Sequence, residues 1–195
     1  MINFFGFTKK KKITIETLSA KYVDDLDYVI EQGFNDIVEF INESNKFNVS
    51  PNININDSSW FKLIIFTANN FLIKNHFSEN KKEKIQNFVF DLQAEIINKD
   101  HEIGTSRMTD NAKFFAQKFT EIRVIETTMA VCLFEKCSLN KFQDKLFKQK
   151  NNPNPMFIKE LSNYLKLFIF NFSIKLIISF SFIFSFILVI FFNSS

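Results

Sequence analysis

Apolar side chains recur at helical spacing in the first third of the chain. Between residues 16 and 43 they return at helical spacing, and the acidic residues of this stretch fall mostly between them. This pattern predicts an acidic amphipathic helix, either continuous or divided near Gly33. Gly33 lies close to the apolar stripe, where a missing side chain also allows a neighbouring element to approach closely. The stripe consists of Leu18, Tyr22, Leu26, Val29, Ile30, Ile37, Val38 and Ile41.

Two further helices are predicted after an Asn- and Ser-rich loop over residues 44–58. The first begins at Asp57 or Ser58 and runs to about His76. It is apolar on most sides, so we expect it to be the buried, central element. Ser78 caps the second, which has one apolar stripe formed by Ile85, Phe88, Val89, Leu92, Ile96 and Ile97.

Residues 98–106 are predicted to form a turn, after which Thr109 or Asp110 starts a long helix to about Lys136. A shorter helical segment follows over residues 139–150, and the sequence NNPNP occupies residues 151–155. No internal repeat is visible, and no stretch before residue 170 alternates cleanly as a strand would. The prediction is an all-α bundle of five or six helices over residues 1–150, a linker over 151–155, and a juxtamembrane basic segment with a membrane anchor over 156–195.

The most apolar stretch begins at Leu176 and ends at Phe192. These 17 residues carry no charge and contain 14 large apolar side chains and three serines. As a helix they would span about 25 Å, against about 30 Å for a bilayer core. An extension back to Leu167 supplies the missing length but includes Asn171 and Lys175, and a lysine near a helix end can reach the interface. We therefore expect a transmembrane helix.

The lysines ahead of this stretch predict its orientation. Residues 136–175 contain eight lysines against Asp144 and Glu160. By the positive-inside rule, the bulk of the protein stays in the cytoplasm and the C-terminus crosses outward, as a single-pass tail anchor. Lys159, Lys166 and Lys175 would then meet anionic headgroups.

Two other interpretations of the C-terminal stretch stay open. The sequence SFSFIFSF alternates Ser and Phe, which is also typical of a strand or hairpin that must be buried against the rest of a soluble, cytoplasmic protein. The Phe-, Ile-, Ser- and Asn-rich composition is also what T-rich DNA beyond a reading frame would encode, so the tail would be a frameshifted, aberrant end.

Composition narrows the class of protein. The chain is 46% hydrophobic and has only 3 Gly and 3 Pro, which excludes intrinsic disorder and a collagen-like repeat. It has 28 Phe, of which ten lie between Phe157 and Phe192, so the aromatic excess marks a compositional change after Pro155. The net charge of +3 is too small to indicate nucleic-acid binding, and none is predicted.

Charge is unevenly distributed along the chain. Residues 9–12 are four lysines that follow a short apolar start. This end either lies on an anionic membrane surface, or it is frayed or tucked into the core with its lysines solvated. The acidic residues of 24–43 and the basic residues of 136–150 are candidate docking surfaces for a protein partner. The alternative is that the two stretches pair with each other inside the bundle.

The sequence offers little chemistry for catalysis. The two histidines and two cysteines have no metal-ligand spacing, and the three glycines form no phosphate-binding loop, so we predict no metal, cofactor or catalytic residue. Cys132 and Cys137 are expected to be buried, reduced thiols. Trp60, the single tryptophan, is expected to anchor the core rather than an interface.

One polar group stands out on the predicted long helix. Arg107 and Arg123 are the two arginines in a chain with 22 lysines, and Glu121 and Glu126 lie close to Arg123 in sequence. Retained arginines can mark a bidentate contact with a carboxylate or phosphate, but ion pairing with a neighbouring helix is the simpler and favoured explanation.

Three functional hypotheses follow from these patterns. The first is a non-enzymatic, tail-anchored helical interaction protein. The second is a soluble helical adaptor or immunity-type protein with a buried or aberrant C-terminus. The third and weakest is a small helical enzyme that uses Arg107, Glu121, Arg123 and Glu126.

Overall fold

The computed structural model describes residues 14–73 and 79–169, without the side chains of residues 79–82. The N-terminal lysines, the predicted helix boundary at His76 and Ser78, and the predicted membrane span over 176–192 lie outside the described residues.

Seven α-helices lie in the two described ranges, which confirms the all-α prediction. Three short 3₁₀ turns accompany them at Ile55–Asp57, Leu139–Lys141 and Lys166–Phe168. In these ranges the β-type pairing is limited to one isolated antiparallel bridge between Phe47 and Gln143. The helices are α1 (Ile15–Asn42), α2 (Ser58–Ile73), α3 (Glu79–Ile97), α4 (His101–Ile122), α5 (Ile125–Lys136), α6 (Lys145–Lys150) and α7 (Pro155–Leu165).

Helix α2 is the central element, as its apolar sequence predicts. It contacts α1, α3, α4 and α5. Because it has neighbours on nearly every side, its side chains from Leu63 to Asn69 are all buried. Each of its buried apolar side chains stabilises the bundle, at about 25 cal/mol per Å² of apolar area buried.

Helix α1 is continuous through Gly33. Thr14 caps its first turn by accepting a hydrogen bond from the Thr17 amide. Gly33 is buried, and a Cβ atom there would lie 2.5 Å from Cζ of Phe168. The glycine therefore permits a close approach rather than a break, which was one of the two possibilities in the sequence.

The predictions for residues 98–136 are wrong in two places. Helix α4 begins at His101 and not at Thr109, because Asp100 caps it by accepting hydrogen bonds from the amides of Glu102 and Ile103. The long helix to Lys136 is two helices, since Arg123 adopts the left-handed conformation (φ 59°) and ends α4.

Helix α7 belongs to the bundle, whereas the sequence placed the bundle's end at residue 150. Asn154 caps α7 and Pro155 occupies its first turn. The helix packs along α5, and Phe157, Leu161 and Leu165 are buried in the common hydrophobic core. Residues 151–154 are therefore a loop that leads from α6 into a packed helix rather than the end of the bundle.

Candidate functional site

Arg107 lies in the second turn of α4 and faces the start of α2. One of its guanidinium nitrogens, Nη2, donates a hydrogen bond to Ser59 Oγ at 3.3 Å. The guanidinium carbon lies 5.8 Å from the centroid of the Trp60 ring, within the range of a cation–π contact. Arg107 is thus held by a hydroxyl and an aromatic face.

The other members of the predicted polar group lie at the junction of α4 and α5. Glu121 and Arg123 are exposed, and Glu126 is in the first turn of α5. Fourteen residues separate Arg107 from Glu121 on α4, which is about 21 Å of helix. Within the described residues no ion pair links the four side chains. The structure does not bring this group together.

A different cluster forms at the edge of the core around two aromatic rings. Lys136 Nζ lies 4.4 Å from the Phe114 ring centroid and 5.1 Å from that of Trp60. Lys118 also lies over the Phe114 ring, and it forms an ion pair with Glu135. Trp60 is half-buried and packs against the core, as expected. Sequence reasoning missed this cluster because its members come from three helices.

The two cysteines are free thiols, and Cys132 is fully buried while Cys137 is partly buried. Burial raises the pKa of each thiol to about 12, and the nearby carboxylates of Glu135 and Asp57 add to the effect at Cys132 and Cys137 respectively. A thiol with such a pKa is almost entirely protonated at neutral pH, and the protonated form is a poor nucleophile.

The acidic stretch of α1 finds its partners on neighbouring helices. Lys62 of α2 lies 2.7 Å from Asp27 and 2.9 Å from Glu31. Burial lowers the pKa of Lys62, but hydrogen bonds to these two carboxylates outweigh that effect and hold its pKa above the ordinary value. Glu16 pairs with Lys84 of α3 at 3.0 Å. Between residue 24 and residue 43, Asp24, Asp36, Glu39 and Glu43 stay exposed.

The basic stretch over residues 136–150 makes no ion pair with α1 in the part of the chain that the structure describes. Its lysines Lys141, Lys145, Lys148 and Lys150 are exposed around the short helix α6. The alternative that the acidic and basic stretches pair with each other is therefore wrong for the described residues.

One face of α7 and the 3₁₀ turn after it points away from the bundle. We define the α7 outer face as Met156, Lys159, Asn163, Lys166 and Leu167, which recur at helical spacing and are all exposed. Met156 and Leu167 have 62% and 48% of their surface accessible. The adjacent acid, Glu160, lies 4.0 Å from Lys46.

Phe168 fixes the end of this segment to the bundle. Its ring is buried against Gly33 of α1, and its backbone carbonyl accepts a hydrogen bond of 2.9 Å from Nδ2 of Asn69. Asn69 is fully buried on α2 and the same nitrogen also donates to the Ile65 carbonyl. The 3₁₀ turn after α7 is therefore docked against α1 and α2.

The described residues lack both a candidate membrane-spanning helix and a candidate metal site. In residues 14–73 and 79–169 no helix is both long and apolar enough to cross a bilayer. The same residues contain no grouping of three or more His, Cys, Asp or Glu side chains that could hold a metal ion.

Comparison with known proteins gives no relative from which a function could be transferred. No family model, no curated protein and no solved structure matches this chain.

Proposed function

We propose that this protein is a non-enzymatic, membrane-anchored interaction protein, in which residues 176–192 span the bilayer and the helical bundle is presented to a protein partner in the cytoplasm. The observation that carries the proposal is the uncharged, 17-residue apolar stretch that begins eight residues after Phe168. Because Phe168 is docked against Gly33 and Asn69, the anchor would hold the bundle close to the membrane.

The energetics of insertion support the anchor. Fourteen large apolar residues contribute roughly −4 to −8 kcal/mol on a scale of about −0.3 to −0.6 per residue. Lys175 would cost about 2.5–3.5 kcal/mol at the bilayer centre, but it precedes the apolar stretch and so can reach the headgroups. The favourable free energy of inserting the apolar side chains therefore exceeds the cost of Lys175, and insertion is favoured.

The acidic outer side of α1 is the surface that we assign to a partner. Asp24, Asp36 and Glu39 are exposed along it, and Tyr28, with 46% of its surface accessible, adds an aromatic side chain of the kind enriched in interfaces. This side favours a partner that presents basic residues, because charge complementarity increases the association rate and the specificity.

The anchor is tested by extraction of membranes with alkaline carbonate. We expect the full chain to stay in the membrane pellet. The double substitution Phe184→Lys and Ile187→Lys places two charges at the centre of the stretch, at a cost of about 5–7 kcal/mol, and should release the chain. The matched variant, Phe184→Leu and Ile187→Leu, keeps the segment apolar and should sediment normally.

Release of the unsubstituted chain into the soluble fraction would contradict the proposal. That result would favour the alternative, a soluble adaptor or immunity-type protein whose C-terminal stretch is buried or aberrant. The weaker enzymatic hypothesis has no observation in its favour, since Arg107 lies far from Glu121, Arg123 and Glu126 along the helix.

A further inference from the structure

The α7 outer face has the composition of a surface that rests on a membrane. Its midline is formed by Met156, Asn163 and Leu167, and Lys159 and Lys166 lie along one side. At about 100° per residue these five positions fall within roughly one-third of the helix circumference. The opposite side of α7 carries Phe157, Leu161 and Leu165 and is buried against the bundle, so α7 presents a single free side.

Two lysines give this face a positive charge. Glu160 borders the face beside Met156 and Leu167, with 43% of its side chain exposed, but it lies 4.0 Å from Lys46. The net charge of the face therefore favours an anionic surface. Lys159 and Lys166 are exposed, and within the described residues neither has a carboxylate within 4.0 Å. A lysine close to an anionic membrane strengthens binding by about five-fold, which corresponds to about 1 kcal/mol. The apolar side chains of Met156 and Leu167 can enter the boundary between headgroups and acyl chains, as in interfacial amphipathic helices.

The position of the face along the chain points the same way. The docked ring of Phe168 fixes the end of α7 relative to α1 and α2. Residue 176 follows eight residues later, which is a reach of at most about 28 Å even for a fully extended chain. An anchor that starts there keeps the end of α7 within that distance of the bilayer surface.

We propose that the α7 outer face lies on the anionic lipid headgroups of the membrane in which residues 176–192 are anchored, and so orients the bundle on the membrane surface. This inference rests on the proposed function. The acidic outer side of α1 would be repelled by the same lipids, which leaves it turned toward a protein partner.

The test uses the full chain reconstituted into vesicles, with an environment-sensitive fluorophore attached at Asn163→Cys. Labelling is selective because Cys132 and Cys137 are protonated and largely buried. The control label is at Ser106→Cys, an exposed position on α4, which does not pack on α7. One set of vesicles is phosphatidylcholine alone, and the other contains about 30% phosphatidylserine.

We expect the label at position 163, and not that at 106, to shift to shorter emission wavelengths in the anionic vesicles, with the shift reduced by high salt. In the double variant Lys159→Gln and Lys166→Gln, the population with the α7 outer face on the lipid, relative to the population with the face in water, should fall by about five-fold for each lysine. The matched pair Lys99→Gln and Lys113→Gln changes net charge equally on exposed residues elsewhere and should leave the shift intact.

Flotation of the same vesicles separates this inference from the proposed function. If the chain floats with both kinds of vesicle and the label at 163 does not respond to phosphatidylserine, the membrane-facing role of α7 is overturned while the anchor stands. If the chain floats only with anionic vesicles and the label responds, the result contradicts the membrane span over residues 176–192 but supports binding of the α7 outer face to anionic lipid. Absence of flotation with either overturns both.

Discussion

At the scale of single residues, Gly33 and Gly104 are two buried glycines that allow another part of the chain to approach closely. The neighbour is a side chain at Gly33 and a helix backbone at Gly104. A Cβ atom at Gly104 would overlap the Ala94 carbonyl oxygen and lie 2.8 Å from the Ala94 carbonyl carbon, both backbone atoms of α3. A Cβ atom at Gly33 would meet the tip of the Phe168 ring instead. A side chain can rotate away, whereas the backbone of a packed helix can move only together with its neighbours.

We therefore expect Gly104→Ala to destabilise the protein by about 1–3 kcal/mol in spite of the higher helix propensity of alanine. Gly33→Ala should cost less, because displacement of the Phe168 ring relieves the overlap. Urea unfolding in mild detergent, followed by the fluorescence of Trp60, measures both. Ser106→Ala, on the exposed side of α4, is the control and should change stability little. Equal losses for the two glycine variants would contradict this account.

The buried thiols make stability sensitive to alkaline pH. The pKa of Cys132 and of Cys137 is about 12 in the folded protein, against about 8.5 in an unfolded chain. Between these values the unfolded state loses a proton that the folded state retains, so rising pH favours unfolding, by at most about 1.4 kcal/mol per pH unit for each thiol.

We expect the free energy of unfolding to fall as the pH rises from 9 toward 12, the interval set by the two thiols. The double variant Cys132→Ala and Cys137→Ala should show a shallower decline over the same interval, whatever its stability at neutral pH. Urea titrations at a series of pH values provide the slope. An unchanged slope in the variant would show that other groups cause the alkaline sensitivity.

At the scale of elements, helix ends were harder to predict than helices. The polar sequence over residues 98–106 predicts a turn, and Thr109 or Asp110 a helix start, whereas Asp100 caps α4 in the structure. The structure uses Gly104 for close packing inside α4. The break between α4 and α5 had no sequence signal, because an arginine, rather than glycine or asparagine, adopts the left-handed conformation at residue 123.

Docking of the 3₁₀ turn after α7 gives a prediction for two adjacent residues. Phe168 is 3% exposed and fills the space above Gly33, whereas Leu167 is about half exposed. Phe168→Ala should destabilise the bundle by about 3–5 kcal/mol, and Leu167→Ala should have an effect within about 0.5 kcal/mol. Urea unfolding of the two variants in detergent distinguishes them. Similar behaviour of the two would mean that the turn is not docked in solution.

At the scale of the whole molecule, the hydrophobic core extends past the proline-rich loop. Phe157 contacts Phe40, Phe47 and Phe134, with ring centroids 5.8, 4.7 and 6.2 Å away. These rings come from α1, from the loop after it and from α5. Helix α7 therefore connects parts of the chain that are distant in sequence.

A truncation series tests this arrangement. A chain that ends after Ile169 keeps α7 and Phe168 and should unfold cooperatively. A chain that ends after Pro155 lacks Phe157, Leu161, Leu165 and Phe168 and should lose most of its stability, since each deletion of a large buried side chain costs about 2–5 kcal/mol. Circular dichroism during heating compares the two. Cooperative unfolding of the shorter chain would show that residues 1–155 form the bundle alone.

The sequence by itself determined the helical class of the described residues, the central position of α2 and the acidic, amphipathic character of α1, whereas the structure showed that α1 is continuous through Gly33. The three predicted features depend on local periodicity and composition, which a single sequence displays. The tertiary structure decided which cations meet Trp60, how Arg107 is separated from Arg123 by the length of α4, and that α7 and Phe168 complete the core. These depend on packing between residues up to about 130 positions apart, such as Gly33 and Phe168, and no local pattern specifies which distant surfaces fit together.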